Sequence, residues 1–345
     1  MSPPSTNNHN RVAIITGSSP GIGQSIARDF AISGYNVLLT SPNEQELNDM
    51  VSDISKEIGG GEGDNNNNNN RLSYLVGDIS ERGFADTLME EAIKKWGRID
   101  VLINNGKITN NPKITSDEEI IPENKLQIQQ QQQQLSPYFV PEEYQTSDPL
   151  IRGIYYCIKA AVTKMLSSTS TTTNNDDNNN NDAAADATTT TTTTAAAAAA
   201  TVDTDATIGN CAIINISSCQ GCMPQQSVDS YTEYNFGVDP YVDSMARIET
   251  LTKSIALELA DKGIRVNGVV PGLVFNDINE ELVKDANKRN YKENEVPLGR
   301  IAKPQEVSKV VLFLASKEAS YITGAMIPVD GGLMLKRPSY FTEVS

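Results

Sequence analysis

Val12-Ala13-Ile14-Ile15 runs without a polar residue into Thr16-Gly17-Ser18-Ser19-Pro20-Gly21-Ile22-Gly23. An apolar run with no alternation predicts a strand buried on both faces, as in a parallel sheet covered by helices. Apolar positions Ile22, Ile26, Phe30 and Ile32 then follow at helical spacing. A strand that meets a helix through three glycines constrains the fold more than any other stretch here. Gly17, Gly21 and Gly23 let the backbone approach a pyrophosphate at the positive end of the helix. The same placement assigns Thr16, Ser18, Ser19 and Ile22 to the walls of that turn.

Strand and helix patterns alternate along the rest of the chain. Strands are predicted at Asn36–Thr40, Leu72–Val76, Ile99–Ile103, Ala212–Ile216, Arg265–Val270 and around Ile327–Val329. Helices are predicted over about 43–58, 81–96, 150–166, 240–260 and 304–315. This order implies an α/β, Rossmann-type, doubly wound parallel sheet of seven strands with helices on both faces. Ligands then bind at the carboxyl ends of the strands. Between these elements lie Asn, Gln, Thr and Ala tracts. We read 59–70, 107–148 and 167–207 as low-complexity inserts without the apolar content to offset their ordering entropy. The polar start, 1–10, is read as disordered, and 11–345 as one domain.

Several function classes are excluded early. The formal net charge of −16 disfavours a nucleic-acid partner or an anionic membrane surface. No apolar stretch reaches the length that crosses a bilayer, and the start lacks the apolar core of a signal peptide, so a cytoplasmic location is expected. The lone histidine, His9, removes Ser-His-Asp and Cys-His chemistry. Cys219 and Cys222 form an isolated C-x-x-C with too few companions for zinc, so no metal is expected.

Thr-Gly-x-x-x-Gly-Ile-Gly resembles the loop of the classical short-chain dehydrogenase/reductases, over roughly residues 11 to 335. That resemblance implies hydride transfer between a nicotinamide cofactor and a small alcohol or carbonyl substrate. It places Ser218, in Asn215-Ile-Ser-Ser218, at the substrate oxygen. It also requires a tyrosine acid/base, for which Tyr231, Tyr234 and Tyr241 compete. Spacing from the serine selects Tyr231, whereas the helix that follows without a gap selects Tyr241, and Tyr241 is taken. The family's lysine, four residues on, is Met245 here. The asparagine of its water relay is Leu150. Lys107, at the edge of an insert, is the alternative cation. Asn104 and Asn105 match the family's paired asparagines, Asp78 its adenine-side acid, and Asn267, Pro271 and Gly272 its nicotinamide-side wall, with Asn276 in place of a threonine. The second strand ends in Thr40-Ser41-Pro42, without acid or base. NADP or NAD is therefore expected, and the room left at Ser41 tilts the choice toward NADP. A homodimer or homotetramer is implied as well. The competing reading is a catalytically impaired descendant that still binds a dinucleotide.

Overall fold

The computed structural model describes residues 10–58, 71–106, 146, 148–169, 211–222, 240–275 and 284–336. The three tracts read as inserts fall almost wholly outside these residues, as do the chain start, Lys107, Tyr231, Tyr234 and Asn276. The described strands are β1 (Val12–Thr16), β2 (Asn36–Ser41), β3 (Leu72–Val76), β4 (Val101–Asn104), β5 (Cys211–Ile216), β6 (Ile264–Pro271) and β7 (Met326–Val329). The helices are α1 (Ile22–Ile32), α2 (Glu44–Ile58), α3 (Phe84–Trp96), α4 (Pro149–Thr169), α5 (Cys219–Cys222), α6 (Pro240–Leu259), α7 (Ala286–Glu295) and α8 (Pro304–Ala315).

The strands form one seven-stranded sheet in the order β3-β2-β1-β4-β5-β6-β7. Every pairing is parallel. The order reverses between β1 and β4, which opens a crevice at their carboxyl ends. Successive residues of β1 serve opposite cores, which is why its sequence does not alternate. Val12 and Ile14 pack with α3, α4 and α6, whereas Ala13 and Ile15 pack with α1, α2 and α8.

Polar contacts lock the layers. Asp100, buried in front of β4, accepts from the Val12 amide at 2.8 Å and from the Arg98 guanidinium at 2.6 Å. Arg265 is buried in β6 and donates to the carbonyls of Leu314 and Ser316 at the end of α8. It thus satisfies acceptors that the helix cannot pair internally. The α1–α8 seam holds Ser25 Oγ 3.1 Å from Ser308 Oγ, whose hydroxyl donates to Asp29.

Two expectations change. Helix α3 starts at Phe84 behind Gly83 rather than near residue 81, and Asp78 accepts from Ser80 N at 2.8 Å in a local turn before it. Helix α4 runs on to Thr169, into the stretch read as an insert. On helix α6, Ile248, Leu251, Ile255 and Leu259 are buried and Leu257 is 83% exposed. Helix α7, almost entirely polar, gives no apolar period to read and was not expected.

Candidate active site

The crevice is built first by glycine. Gly17 sits at φ 60°, a left-handed conformation. A Cβ there would lie 1.9 Å from the carbonyl oxygen of Asn105, so the turn is pressed directly against the end of β4. Asn105 braces it in return, donating from Nδ2 to the Gly17 carbonyl at 2.8 Å and from its amide to Thr16 Oγ1 at 3.2 Å. Gly23, in the first turn of α1, is packed against the Gly17 carbonyl, 2.4 Å from where its Cβ would be. No side chain caps α1 and no acid lies in its first turn. The positive end of the helix is therefore available to an anion.

Not every residue assigned to this turn faces outward. Ser18 is fully buried, its hydroxyl donating to the Ile15 carbonyl and its amide to the Thr40 carbonyl. Thr16 is also fully buried and accepts from Asn105. These two build the turn, leaving Ser19, Gly21 and Ile22 as its half-exposed rim. Ser41 is 5% exposed and its Oγ accepts from Asn43 N at 3.2 Å.

Asn104 lies opposite Asn215 in the β4–β5 register and donates to its Oδ1 at 2.8 Å. Asn215 passes the chain to Thr252 Oγ1 at 2.9 Å, and Thr252 to the Ile248 carbonyl of α6 at 2.7 Å. The sequence signal for this brace was a polar residue at the end of each of two apolar strands. Asn104 Oδ1 and Thr40 Oγ1 are buried without any hydrogen-bond partner. Orphaned polar atoms on either side of a glycine turn fit a site that a polar dinucleotide completes.

The residues matched to the reacting oxygen lie where α5 docks on α6. Ser217 Oγ donates to the Met245 carbonyl at 3.0 Å, and Gly221 lies so close that its Cβ would meet Met245 Cβ at 2.4 Å. Ser218, half-buried, begins this segment and accepts from Gln220 N at 3.3 Å. Tyr241, 37% exposed, lies one turn before Met245 on α6. The dock therefore brings the serine segment to the tyrosine's helix. Met245 itself is 3% exposed and packs in the core. Leu150 is 5% exposed and fills the space where a Cβ on Gly106 would stand, 2.3 Å from its Cδ1. Met245 and Leu150 are thus both core side chains.

Next to them lies a tie that the sequence did not suggest. Asp148 Oδ1 caps α4 through the Leu150 amide at 2.9 Å, and Oδ2 accepts from Ser244 Oγ at 2.5 Å. On the outer face of the dock, the Cys222 thiol donates to Glu249 Oε2 at 3.5 Å. Burial first, then that carboxylate, pushes the thiol up to about 11. Among the described residues no cluster of ligands could hold a metal.

Pro271 is buried at the end of β6, and Gly272 donates to the Val329 carbonyl at 3.0 Å, close against Asp330. Asp330 in turn accepts from Gly332 N and Met334 N. Asn267 lies deeper, its amide engaged by the Ile322 carbonyl and the Ala325 amide, so it is a strut rather than part of a wall. A cavity of about 180 Å³ behind this turn is lined by Leu273, Val296, Arg300 and Asp330. Neither the glycine turn nor Ser218 nor Tyr241 lines it.

Comparison with known proteins agrees with this geometry. Residues 11–128 match a family model described as short chain dehydrogenase, and residues 156–334 one described as enoyl-(acyl carrier protein) reductase. The 3-oxoacyl-[acyl-carrier-protein] reductase FabG of Thermotoga maritima is 27% identical over 325 residues, covering 94% of this chain and 98% of that protein. The L-rhamnose-1-dehydrogenase of Scheffersomyces stipitis is 27% identical, covering 94% and 96%. Two solved structures share the fold. A short-chain dehydrogenase/reductase (glucose/ribitol dehydrogenase) from Brucella melitensis has a TM-score of 0.59 at 20% identity, covering 94% and 97%. The RhlG/NADP active-site complex from Pseudomonas aeruginosa has a TM-score of 0.62 at 21% identity, covering 97% and 100%. A glycine turn braced by Asn105, an all-parallel sheet reversing at β1 and β4, and two family models spanning most of the sequence lead to one conclusion: the chain belongs to the short-chain dehydrogenase/reductase family of NAD(P)-dependent oxidoreductases.

Proposed function

We propose that this chain binds NAD(H) or NADP(H) across the crevice between β1 and β4 and transfers hydride to a small carbonyl substrate, with Ser218 and Tyr241 at the reacting oxygen. The observation that carries the reading is the Gly17–Asn105 brace, which holds the turn open against an uncapped helix end. Gly21, Ile22 and Ser19 line the phosphate side, Ser41 and Asp78 the adenosine side, and Pro271 and Gly272 the nicotinamide side. When bound, the nicotinamide supplies or accepts the hydride. Tyr241 donates its phenolic proton to the carbonyl oxygen as the oxygen gains charge, and Ser218 hydrogen-bonds the same oxygen. Reduction needs a phenol that can give up its proton to the carbonyl oxygen. Oxidation needs the phenolate, which Met245 does nothing to stabilise.

A second reading rests on a specific observation. Met245 and Leu150 fill core space, so the site can persist as a dinucleotide-binding module without efficient proton transfer. The two are separated by following oxidation of reduced cofactor with a panel of ketones and aldehydes in the wild type and Tyr241→Phe. An enzyme loses at least about 100-fold in turnover in the variant with cofactor affinity unchanged. A binding module shows the same trace for both proteins. We also place the protein in the cytoplasm as a homodimer or homotetramer. All four thiols are free, which fits a reducing compartment. Sedimentation that finds only monomer at micromolar concentration rules the assembly out.

A further inference from the structure

We infer that the adenosine end of this site selects the 2′-hydroxyl of NAD(H) over the 2′-phosphate of NADP(H). The inference rests on the dinucleotide reading above and narrows it to one cofactor. A 2′-phosphate brings about −1.5 to −2 charges and is held by a cation at the end of the second strand, whereas a ribose hydroxyl needs only polar partners. In this fold that corner is where β2 runs into α2. It is tied to the glycine turn by Ser18 N on the Thr40 carbonyl, and to the end of β3 by Gly77 N on the Ser41 carbonyl.

The charges around it are acidic. Glu44 and Glu46 occupy the first turn of α2, and Asp78 follows β3. Between residues 12 and 55 the single cation is Arg28, and it is paired at 2.6 Å with Glu57 in the last turn of α2. The β3–α3 connection offers one more, Arg82, exposed beyond Asp78 and Glu81. The amides that open α2 are already engaged. Asn43 N donates to Ser41 Oγ, Gln45 N and Glu46 N donate to Asn43 Oδ1, and Leu47 N donates to the Asn43 carbonyl. Glu46 is folded over the same cap by the Asn43 side chain at 2.8 Å. A phosphate arriving here meets carboxylates and amides that already have partners.

What remains suits a neutral hydroxyl. Ser41 Oγ accepts from Asn43 N while keeping its own proton to donate. The side chain at the end of β2 is therefore a hydroxyl rather than a cation.

The test is titration of the full chain with NADH and with NADPH, followed by nicotinamide fluorescence, in low and high salt. NADH is expected to bind at least about tenfold more tightly in low salt, and the gap to narrow as salt screens the carboxylates. Glu44→Arg, on an exposed position, is expected to tighten NADPH by about tenfold and to move NADH by less than about twofold. NADPH binding as tightly as NADH in the wild type, or a ratio unmoved by Glu44→Arg, overturns the inference. Binding of neither, in a protein folded by circular dichroism, overturns the dinucleotide reading and this choice with it.

Discussion

The two corners of the carboxyl edge are built by different means. At the β1–β4 corner the shape is made by backbone: Gly17 lies against Asn105, Gly23 against Gly17, and the buried polar groups of Thr16 and Ser18 are turned inward to hold the turn. At the α5–α6 corner the shape is also intact, with Ser217 tied to Met245 and Asp148 to Ser244, and the two positions that the resemblance matches to a lysine and an asparagine hold buried Met245 and Leu150. Phosphate binding follows from how the chain packs, so it lasts as long as the fold does. Proton chemistry follows from the identity of a few side chains. Exchanging a buried lysine or asparagine for Met or Leu removes a polar group that needs a partner, so packing does not resist the change.

The contrast breaks most sharply at Gly17. Gly17→Val puts a branched Cβ into the Asn105 carbonyl at a positive φ, and at least about 3 kcal/mol of stability should be lost. A thermal melt within a few degrees of wild type would mean that the turn is not packed as described. The converse experiment is Met245→Lys. Lowering a phenol from about 10 to about 7 corresponds to a thousandfold more phenolate at neutral pH, the upper bound on the gain in alcohol oxidation. The pH–rate profile should move toward acid, while reduction changes little. An unchanged profile would assign the charge to another group, such as Lys107.

A smaller effect probes the electrostatics of the reacting corner. With Cys222 pushed up to about 11 by burial and by Glu249, its thiolate at pH 8 should be about 100-fold scarcer than that of an ordinary cysteine, whose alkylation is correspondingly faster. Because the folded-state value is raised, the protonated thiol favours the fold below the unfolded value, and that contribution fades as pH rises through about 11. Glu249→Gln should speed alkylation by iodoacetamide; an unchanged rate would leave burial as the whole cause. The smallest effect is expected at Ser244→Ala, which removes the tie to Asp148 but keeps the α4 cap. It should cost about 1 kcal/mol in a denaturant melt. A loss several times larger would make that tie a main support of the reacting corner.

Much of the β1–β4 corner was legible because its determinants are local. Four apolar residues, three glycines and a helical period occupy one continuous stretch, and each has one physical use. The strand positions were legible for a similar reason, since a buried parallel strand needs an apolar run whatever its neighbours. The inward turn of Ser18 was not, because its partners, Ile15 and Thr40, are set by how β2 pairs with β1. Nor was the pairing of Asp148 with Ser244, which joins residues 96 apart in sequence. The place of Met245 as a core residue under Gly221 was not legible either, since it depends on the path of a four-residue helix. The exposure of Leu257 was not legible either, since an apolar residue within a helical stretch gives no sign that the fold leaves it in water.

The seam between α1 and α8 bears on the order in which this protein is made. The glycine turn, Asn105 and the strands that carry them are complete by residue 105, before the longer low-complexity tracts are synthesised. The helix that the turn opens is different. Ser25 and Asp29 wait for Ser308, almost three hundred residues downstream. On the ribosome, the nucleotide loop thus emerges long before the helix that secures it. Loss of the final helix should therefore loosen cofactor binding from the far end of the chain.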